Sequence, residues 1–478
     1  MTLESLNTLI TLPEIFLLCM ACAILVIDVF LREEQRNVSY VLSQLTLLAT
    51  FVLVLAGRTD QRLLAFNDLF VQDALADTLK LFILAIIFVV FVYSREYLRE
   101  RDIFKGEFYV LGLFGVLGMM LMVSSSNMLL LYLGLELLSL CLYAMVAFNR
   151  DDGDASEAAM KYFVLGAIAS GMLLYGMSIL YGLAGRLDIT VIAKTTIAGG
   201  ASNIGLVFAL VFIIVALSFK LGAVPFHMWL PDVYQGSPTT VTSYISTAPK
   251  IAGFAMIMRL LVEGMGGLHG DWQMMLVILA VLSMALGNVI AIAQTNTKRM
   301  LAYSTISHVG FILLGILAGN AQGYASAMFY TLAYAIMTLG GFGIVLYMSR
   351  AGFEGDRLDD FRGLNQRSPW FAFMMLILMF SMAGVPPTVG FWAKLAVLGA
   401  VVDINRVWLA VVAVAFSIIG LFYYLRIVKL MYFDDAVDAQ PLECGRDMQL
   451  ALSTNSLAIL VLGIYPAGLM SLCVGVFG

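Results

Sequence analysis

The chain has 478 residues, 61% hydrophobic and 12% charged, about half the ~25% charged residues of an ordinary soluble protein. A spanning helix takes roughly 20 apolar residues, so the length accommodates about fourteen spans with short loops and leaves no room for a separate soluble catalytic domain. The net charge of −5, from 27 Lys and Arg against 32 Asp and Glu, offers no basic face for nucleic acid.

Apolar runs between charged or Gly/Pro breaks predict an all-α polytopic membrane protein. Its fourteen spans are 9–31, 38–56, 74–93, 108–124, 127–147, 155–183, 203–230, 238–262, 272–293, 300–318, 323–349, 370–400, 407–432 and 452–476. With Glu4 and no Lys or Arg ahead of the first run, the N-terminus lacks the basic segment of a cleavable signal, and the first span is expected to stay in the membrane. Cys19, Cys22, Cys141, Cys444 and Cys473 are scattered, without the neighbouring thiolates that Zn or Fe–S ligation needs. They are expected to be apolar fillers with no metal and no disulfide. Of the 27 basic residues, 16 fall at odd-numbered loops and five at even-numbered ones. By the excess of basic residues in cytoplasmic loops, odd loops face the cytoplasm and both termini face outward.

The other six basic residues lie inside spans: Lys80, Lys161, Lys220, Lys250, Arg259 and Lys394. Each costs about 2.5–3.5 kcal/mol at a helix centre and needs a reason to be there. Lys161 and Arg259 sit within two turns of a helix end and are expected to snorkel to the interface. Lys80 follows Asp77 by three positions on one helical face, where a local ion pair is the simplest account. Lys220, Lys250 and Lys394 have no such explanation. Glu136 is read as the only acidic residue deep in an apolar run, close to the midplane.

Two spans carry internal breaks. The seventh contains Phe219-Lys220-Leu221-Gly222-Ala223-Val224-Pro225-Phe226-His227, and the twelfth contains Ala383-Gly384-Val385-Pro386-Pro387 followed by Lys394. Proline removes a donor and frees a carbonyl, which is tolerated at membrane depth only in packed protein or beside a hydrated cavity. The breaks are five helices apart, an odd number, so equivalent helices run in opposite directions. Spans 4–8 and 9–13 therefore look like inverted repeats, giving segments 1–107, 108–262, 263–432 and 433–478.

Buried lysine suits proton transfer because desolvation favours its neutral form and an approaching carboxylate restores the charge. Moving one charge against about 180 mV costs roughly 4 kcal/mol, the equivalent of a swing of about 3 in pKa. A Glu136/Lys220 pair that forms and separates is thus large enough to move one proton. His308, among Ser304, Thr305 and Ser307, and His227, at the break of span seven, are read either as proton relays or as caps for freed carbonyls. His269 is expected in an exposed loop.

Several stretches resemble the antiporter-like membrane subunits of bacterial NADH-quinone oxidoreductase, respiratory complex I. They are Leu133-Gly-Leu-Glu-Leu-Leu-Ser-Leu140, Phe219-Lys-Leu-Gly-Ala-Val-Pro-Phe-His-Met-Trp-Leu-Pro-Asp232, Ala248-Pro-Lys-Ile-Ala252, Gln294-Thr-Asn-Thr-Lys-Arg-Met-Leu-Ala-Tyr-Ser-Thr-Ile-Ser-His308 and Gly390-Phe-Trp-Ala-Lys394. Lysines at both 250 and 394 are similar to the subunit N branch. The resemblance implies a proton-translocating role with Glu136 and Lys220 as a switch pair, Lys250 as the central carrier and Lys394 as the exit-side carrier; His227, His308 and Lys161 are further candidates for the path. It also implies that NADH, FMN, Fe–S clusters and quinone are held by partner subunits and that this chain holds no cofactor or metal. The implied partners are other complex I membrane subunits, neighbouring antiporter-like ones included, in the bacterial inner (cytoplasmic) membrane. A self-contained cation/proton antiporter of the Mrp type is the alternative. Residues 1–107 carry no motif, and Pro249 stands where a small residue is expected.

Overall fold

Long apolar runs have no backbone partners in hydrocarbon except their own turns, so they fold as helices. The computed structural model describes residues 7–59, 61–350, 352–436, 442 and 444–478; Glu4 lies outside them. Among the described residues, thirteen helices are long and apolar enough to cross a membrane, and the expected twelfth span is divided into two half-helices. The chain is a polytopic, all-helical membrane protein.

One compact unit comprises residues 1–91, 103–220 and 248–272. It begins with α1 (Leu12–Phe30) and α2 (Asn37–Ala56), followed by a hairpin of β1 (Leu63–Ala65) and β2 (Phe70–Gln72) and by most of α3 (Ala74–Glu100). Next come α4 (Gly106–Val123), α5 (Met128–Val146), α6 (Gly153–Ala184), a short α7 (Ile189–Gly199) and α8 (Ile204–Leu221). The hairpin was not expected from a polar loop of this length. Its turn residues Phe66, Asn67 and Asp68 all take positive φ, and Val71 donates to the carbonyl of Ser124 at 2.8 Å, so it stitches the second loop to the α4–α5 joint. A Cβ on Gly134 would lie 2.7 Å from the Gly118 carbonyl. Only glycine lets α4 and α5 meet backbone to backbone there, and that contact fixes the turn bearing Glu136.

The other unit comprises residues 92–102, 221–247 and 273–478. The chain passes into it immediately after Lys220, at the break of span seven, through α9 (Trp229–Gly236) and α10 (Thr239–Ser246). It returns to the first unit for α11 (Ala248–Ile257), which a π-helical turn, Met258–Gly264, continues. From α12 (His269–Ile292) onward the elements are α13 (Thr297–Leu317), α14 (Ala321–Met348), a single turn α15 (Leu364–Arg367), and the half-helices α16 (Pro369–Ala383) and α17 (Val389–Asp403). The chain closes with α18 (Val407–Phe433), α19 (Arg446–Ile464) and α20 (Ala467–Phe477). Helices α13 and α14 are buried along almost their whole length and form the core on which α16, α17, α19 and α20 pack. His269 begins α12 and sets its ring edge-on against Trp272, rather than lying in an exposed loop.

Span eight departs from the expected continuous helix. It is interrupted at Thr247 (φ −112°, ψ −96°), and Pro249 becomes the second residue of α11, a position whose N–H has no intrahelical acceptor in any case. The Thr247 hydroxyl donates to the Ser243 carbonyl at 2.8 Å, covering a carbonyl that the break leaves free.

One construction occurs twice, five spans apart. Asn127 caps α5 by accepting from Leu129 N at 2.9 Å and donates to Asp188 at 3.0 Å, while Met128 N bonds the Leu187 carbonyl and Ile189 N the Ser126 carbonyl. Asn296 caps α13 by accepting from Arg299 N at 3.0 Å and donates to Asp356 at 2.7 Å, with Thr297 N on the Asp356 carbonyl and Leu358 N on the Thr295 carbonyl. The same asparagine cap and two-way backbone bridge thus recur at the fifth and tenth spans.

Candidate proton path

Each break is built on a glycine followed three residues later by proline. Gly222 (φ +81°) ends α8 and Gly384 (φ +86°) ends α16, conformations in which a Cβ is strained. Lys220 lies in the last turn of α8, two residues before its glycine, and Lys394 lies in α17, ten residues after its own. The breaks correspond; the lysines occupy opposite sides of them.

Glu136 and Lys220 face each other from α5 and α8, but among the described residues they form no ion pair. Lys220 Nζ donates to Ser139 Oγ at 2.6 Å, and Ser139 in turn donates to the Leu135 carbonyl at 2.5 Å. Glu136 accepts from the Ser170 hydroxyl of α6, which lies 3.2 Å from the Tyr132 hydroxyl. Both lysine and glutamate are half-buried. The ammonium and the carboxylate are held apart, each by a neutral hydroxyl.

Lys394 is held in the same manner. Its Nζ donates to the Ala383 carbonyl at 2.8 Å and to Ser417 Oγ of α18 at 2.8 Å, and lies 5.2 Å from the centre of the Phe311 ring. Ala383 is the last residue of α16, so the carbonyl freed by the break is the one that receives the ammonium. His308 is buried one turn from Phe311, its Nδ1 2.7 Å from the Tyr330 hydroxyl and its Nε2 3.1 Å from that of Tyr424, which also meets Ser304 at 2.5 Å. The hydroxyls around His308 thus include two tyrosines from α14 and α18 that linear sequence gives no means of pairing with it.

Lys250 is 2% exposed, in the first turn of α11 after the Thr247 interruption. His227 is buried in the turn between α8 and α9, where its carbonyl accepts from Leu230 N at 2.9 Å. The Lys161 side chain is 43% exposed and reaches Glu157 one turn back, at 2.8 Å.

Two expectations about buried charge are overturned. Lys80 does not pair with Asp77. Its Nζ reaches Glu14 of α1 at 2.6 Å, with both side chains almost wholly buried, and lies 4.9 Å from the centre of the Phe70 ring. Asp77 instead accepts from Gln72 at 3.1 Å and from Thr59 N at 3.2 Å. Glu136 is therefore not the only acid in an apolar run: Glu14, in the first turn of α1, is buried against Lys80 of another helix. Arg259 does not snorkel. It is 1% exposed, with Nη1 and Nη2 each 2.8 Å from the two oxygens of Asp73, Nε 3.1 Å from the Val123 carbonyl, and Nη1 also on Glu263. Burial raises the Asp73 carboxyl, but the Arg259 guanidinium outweighs it and holds Asp73 below its ordinary range. In the loop after α14, Glu354 accepts from the Tyr97 hydroxyl and Arg101 Nη2, each at 2.8 Å, and from Thr239. Burial opposes its ionisation, yet Lys298 and Arg101 hold the carboxyl down at about 2.

Two kinds of setting stand out among these buried charges. Glu14–Lys80 and Asp73–Arg259–Glu263 are matched ion pairs, which bind elements together. Lys220 and Lys394 rest on neutral oxygen.

Comparison with known proteins accords with this construction. Residues 125–420 match the family described as NADH:quinone oxidoreductase/Mrp antiporter, TM, so the class is that of antiporter-like membrane proteins. NADH-quinone oxidoreductase subunit N of Thioalkalivibrio sulfidiphilus is 65% identical over 476 residues, 99% of each chain. Among solved structures, a chain of respiratory complex I from Thermus thermophilus aligns with TM-score 0.82 at 29% identity, covering 96% of this chain and 99% of that one. A chain of the Mrp complex from Dietzia sp. shares the fold, with TM-score 0.82 at 22% identity over 100% of this chain and 97% of its own. The chain belongs to the NADH-quinone oxidoreductase subunit N family.

Proposed function

We propose that this chain is the proton-translocating membrane-arm subunit N of an NADH:quinone oxidoreductase, driven by redox chemistry in other subunits. It takes part in the enzyme as a translocase. NADH, FMN, Fe–S clusters and quinone belong to partner chains, and other membrane subunits of the complex, neighbouring antiporter-like ones included, flank it. Glu136 and Lys220 act as the switch pair, Lys250 as the central carrier and Lys394 as the exit-side carrier. His227, His308 and Lys161 stand along the route.

The observation that carries this reading is the resting position of Lys220 and Lys394 on neutral oxygen. A lysine locked to a buried carboxylate cannot lose its proton without stranding a charge, at a cost of several kcal/mol. One held by a serine hydroxyl or a backbone carbonyl sheds its proton and leaves neutral groups behind. Cation exchange of the Mrp type has less support: Na⁺ prefers oxygen ligands, and three lysines against one glutamate repel it.

Lys394→Glu retains a titratable group but turns an acceptor toward the Ala383 carbonyl, so partial proton uptake is expected in membrane vesicles. Lys394→Leu removes the group and should lose more, roughly tenfold or beyond. Uptake that follows Na⁺ concentration at constant ionic strength, or a fully active Lys394→Leu, would sink the reading.

The orientation is part of the proposal: odd loops face the cytoplasm of a bacterial inner membrane and both termini face outward, a reading supported by the 16-to-5 basic asymmetry. A cysteine introduced at Arg357 should react with an impermeant thiol reagent in inside-out vesicles and stay unlabelled in intact cells. The opposite pattern reverses the orientation.

A further inference from the structure

We infer that Ser139 is a positioning residue that parks the Lys220 ammonium one helical turn from Glu136, making the separated state of the switch the resting state. The inference deepens the proton-translocation reading and rests on Lys220 being its carrier.

Glu136 and Ser139 are three residues apart on α5, so they share a face and are separated by about 4.5 Å along the axis. Lys220 Nζ is on Ser139 Oγ at 2.6 Å. The Ser139 proton is already committed to the Leu135 carbonyl, which turns the oxygen's lone pairs toward the lysine and makes the hydroxyl a prepared acceptor. Glu136 is held by a second hydroxyl, that of Ser170. Ser139 is 1% exposed, so water does not readily replace it. The flexible four-carbon stem of lysine spans one helical turn. Lys220 therefore has two berths on one face of α5: the serine, where no negative charge retains its proton, and the glutamate, where one does. The difference between the berths is what the switch uses, and Ser139 supplies the neutral one. In the second repeat, Ser417 and the Ala383 carbonyl give Lys394 a berth of the same neutral kind.

Without the Ser139 oxygen, the ammonium moves to Glu136 and the pair stays closed. In vesicles holding the assembled complex, Ser139→Ala is expected to lower proton uptake per NADH oxidised by roughly tenfold, the equivalent of one hydrogen bond to a charged group. Ser139→Thr, which keeps the hydroxyl and its bond to the carbonyl four residues back, should restore most of it. The decisive comparison is Ser139→Ala combined with Glu136→Gln. If the serine acts by keeping the lysine from the carboxylate, the double variant pumps no worse than Glu136→Gln alone, a non-additivity that a packing role would not produce. Wild-type uptake in Ser139→Ala, or a loss that adds to that of Glu136→Gln and is not rescued by threonine, overturns the inference. Lys220→Ala separates the two levels. If it pumps normally, the carrier reading fails; if it fails to pump while Ser139→Ala pumps normally, only the berth is disproved.

Discussion

Lys220→Ala in membrane vesicles is expected to abolish most of the proton uptake that accompanies NADH oxidation, by tenfold or more, with the complex still assembled. Its ammonium rests on Ser139 while Glu136 keeps its own hydrogen bond from Ser170, so alanine removes a mobile proton without breaking a resting ion pair. Glu136→Gln should do less, because an amide oxygen still accepts from Ser170 and the lysine remains. Lys161→Ala should do less than Lys220→Ala, since that side chain is 43% exposed and is held by Glu157 one turn back on its own helix. The measurement is quenching of a pH-sensitive dye by inside-out vesicles, normalised to NADH oxidation. Equal uptake in all three assembled variants would contradict the assignment of Lys220 as a carrier.

Arg259→Leu is expected to fail differently, by losing the assembled protein. The guanidinium neutralises Asp73 through two parallel hydrogen bonds and holds Glu263 and the Val123 carbonyl as well. Removing one partner of a buried ion pair costs about 3–5 kcal/mol, a large part of the stability of most folds. Arg259→Lys should recover only part, because an ammonium lacks the planar fork that meets both Asp73 oxygens. The pH dependence has a fixed sign. Asp73 is held below its ordinary value of 3.8, so its contribution is complete above that value and disappears as pH falls through the depressed native one. Arg259→Leu should therefore have a lower melting temperature than wild type at pH 7, and the gap should narrow on acidification below about 4. Normal yield and melting of Arg259→Leu at pH 7 would show that the cluster is not what holds these segments. Lys80→Ala belongs to the same group, because it strands Glu14.

The sequence by itself determined the class of fold, the positions of nearly all spans, the breaks in spans seven and twelve, and the basic residues that needed an explanation. Each of these is a local property. Apolar length dictates a span, Gly-x-x-Pro dictates a break, and a charge within an apolar run is visible wherever it lies. Tertiary structure alone decided what each charge does. Sequence offers Lys80 only Asp77, three residues away, and Arg259 only the nearest helix end, yet their partners are Glu14 and Asp73 on distant segments. The tyrosines at His308 come from α14 and α18, and Ser417 reaches Lys394 from the following span. The β1–β2 hairpin and the interruption at Thr247 escaped for a related reason, since neither carries a Gly-Pro signal and each is fixed by bonds to residues outside its own segment or by hydroxyls covering freed carbonyls. In hydrocarbon a charge is satisfied only by whatever helix packing brings to it. Sequence can therefore mark the residue that must be explained, while packing decides whether it is glue or a carrier.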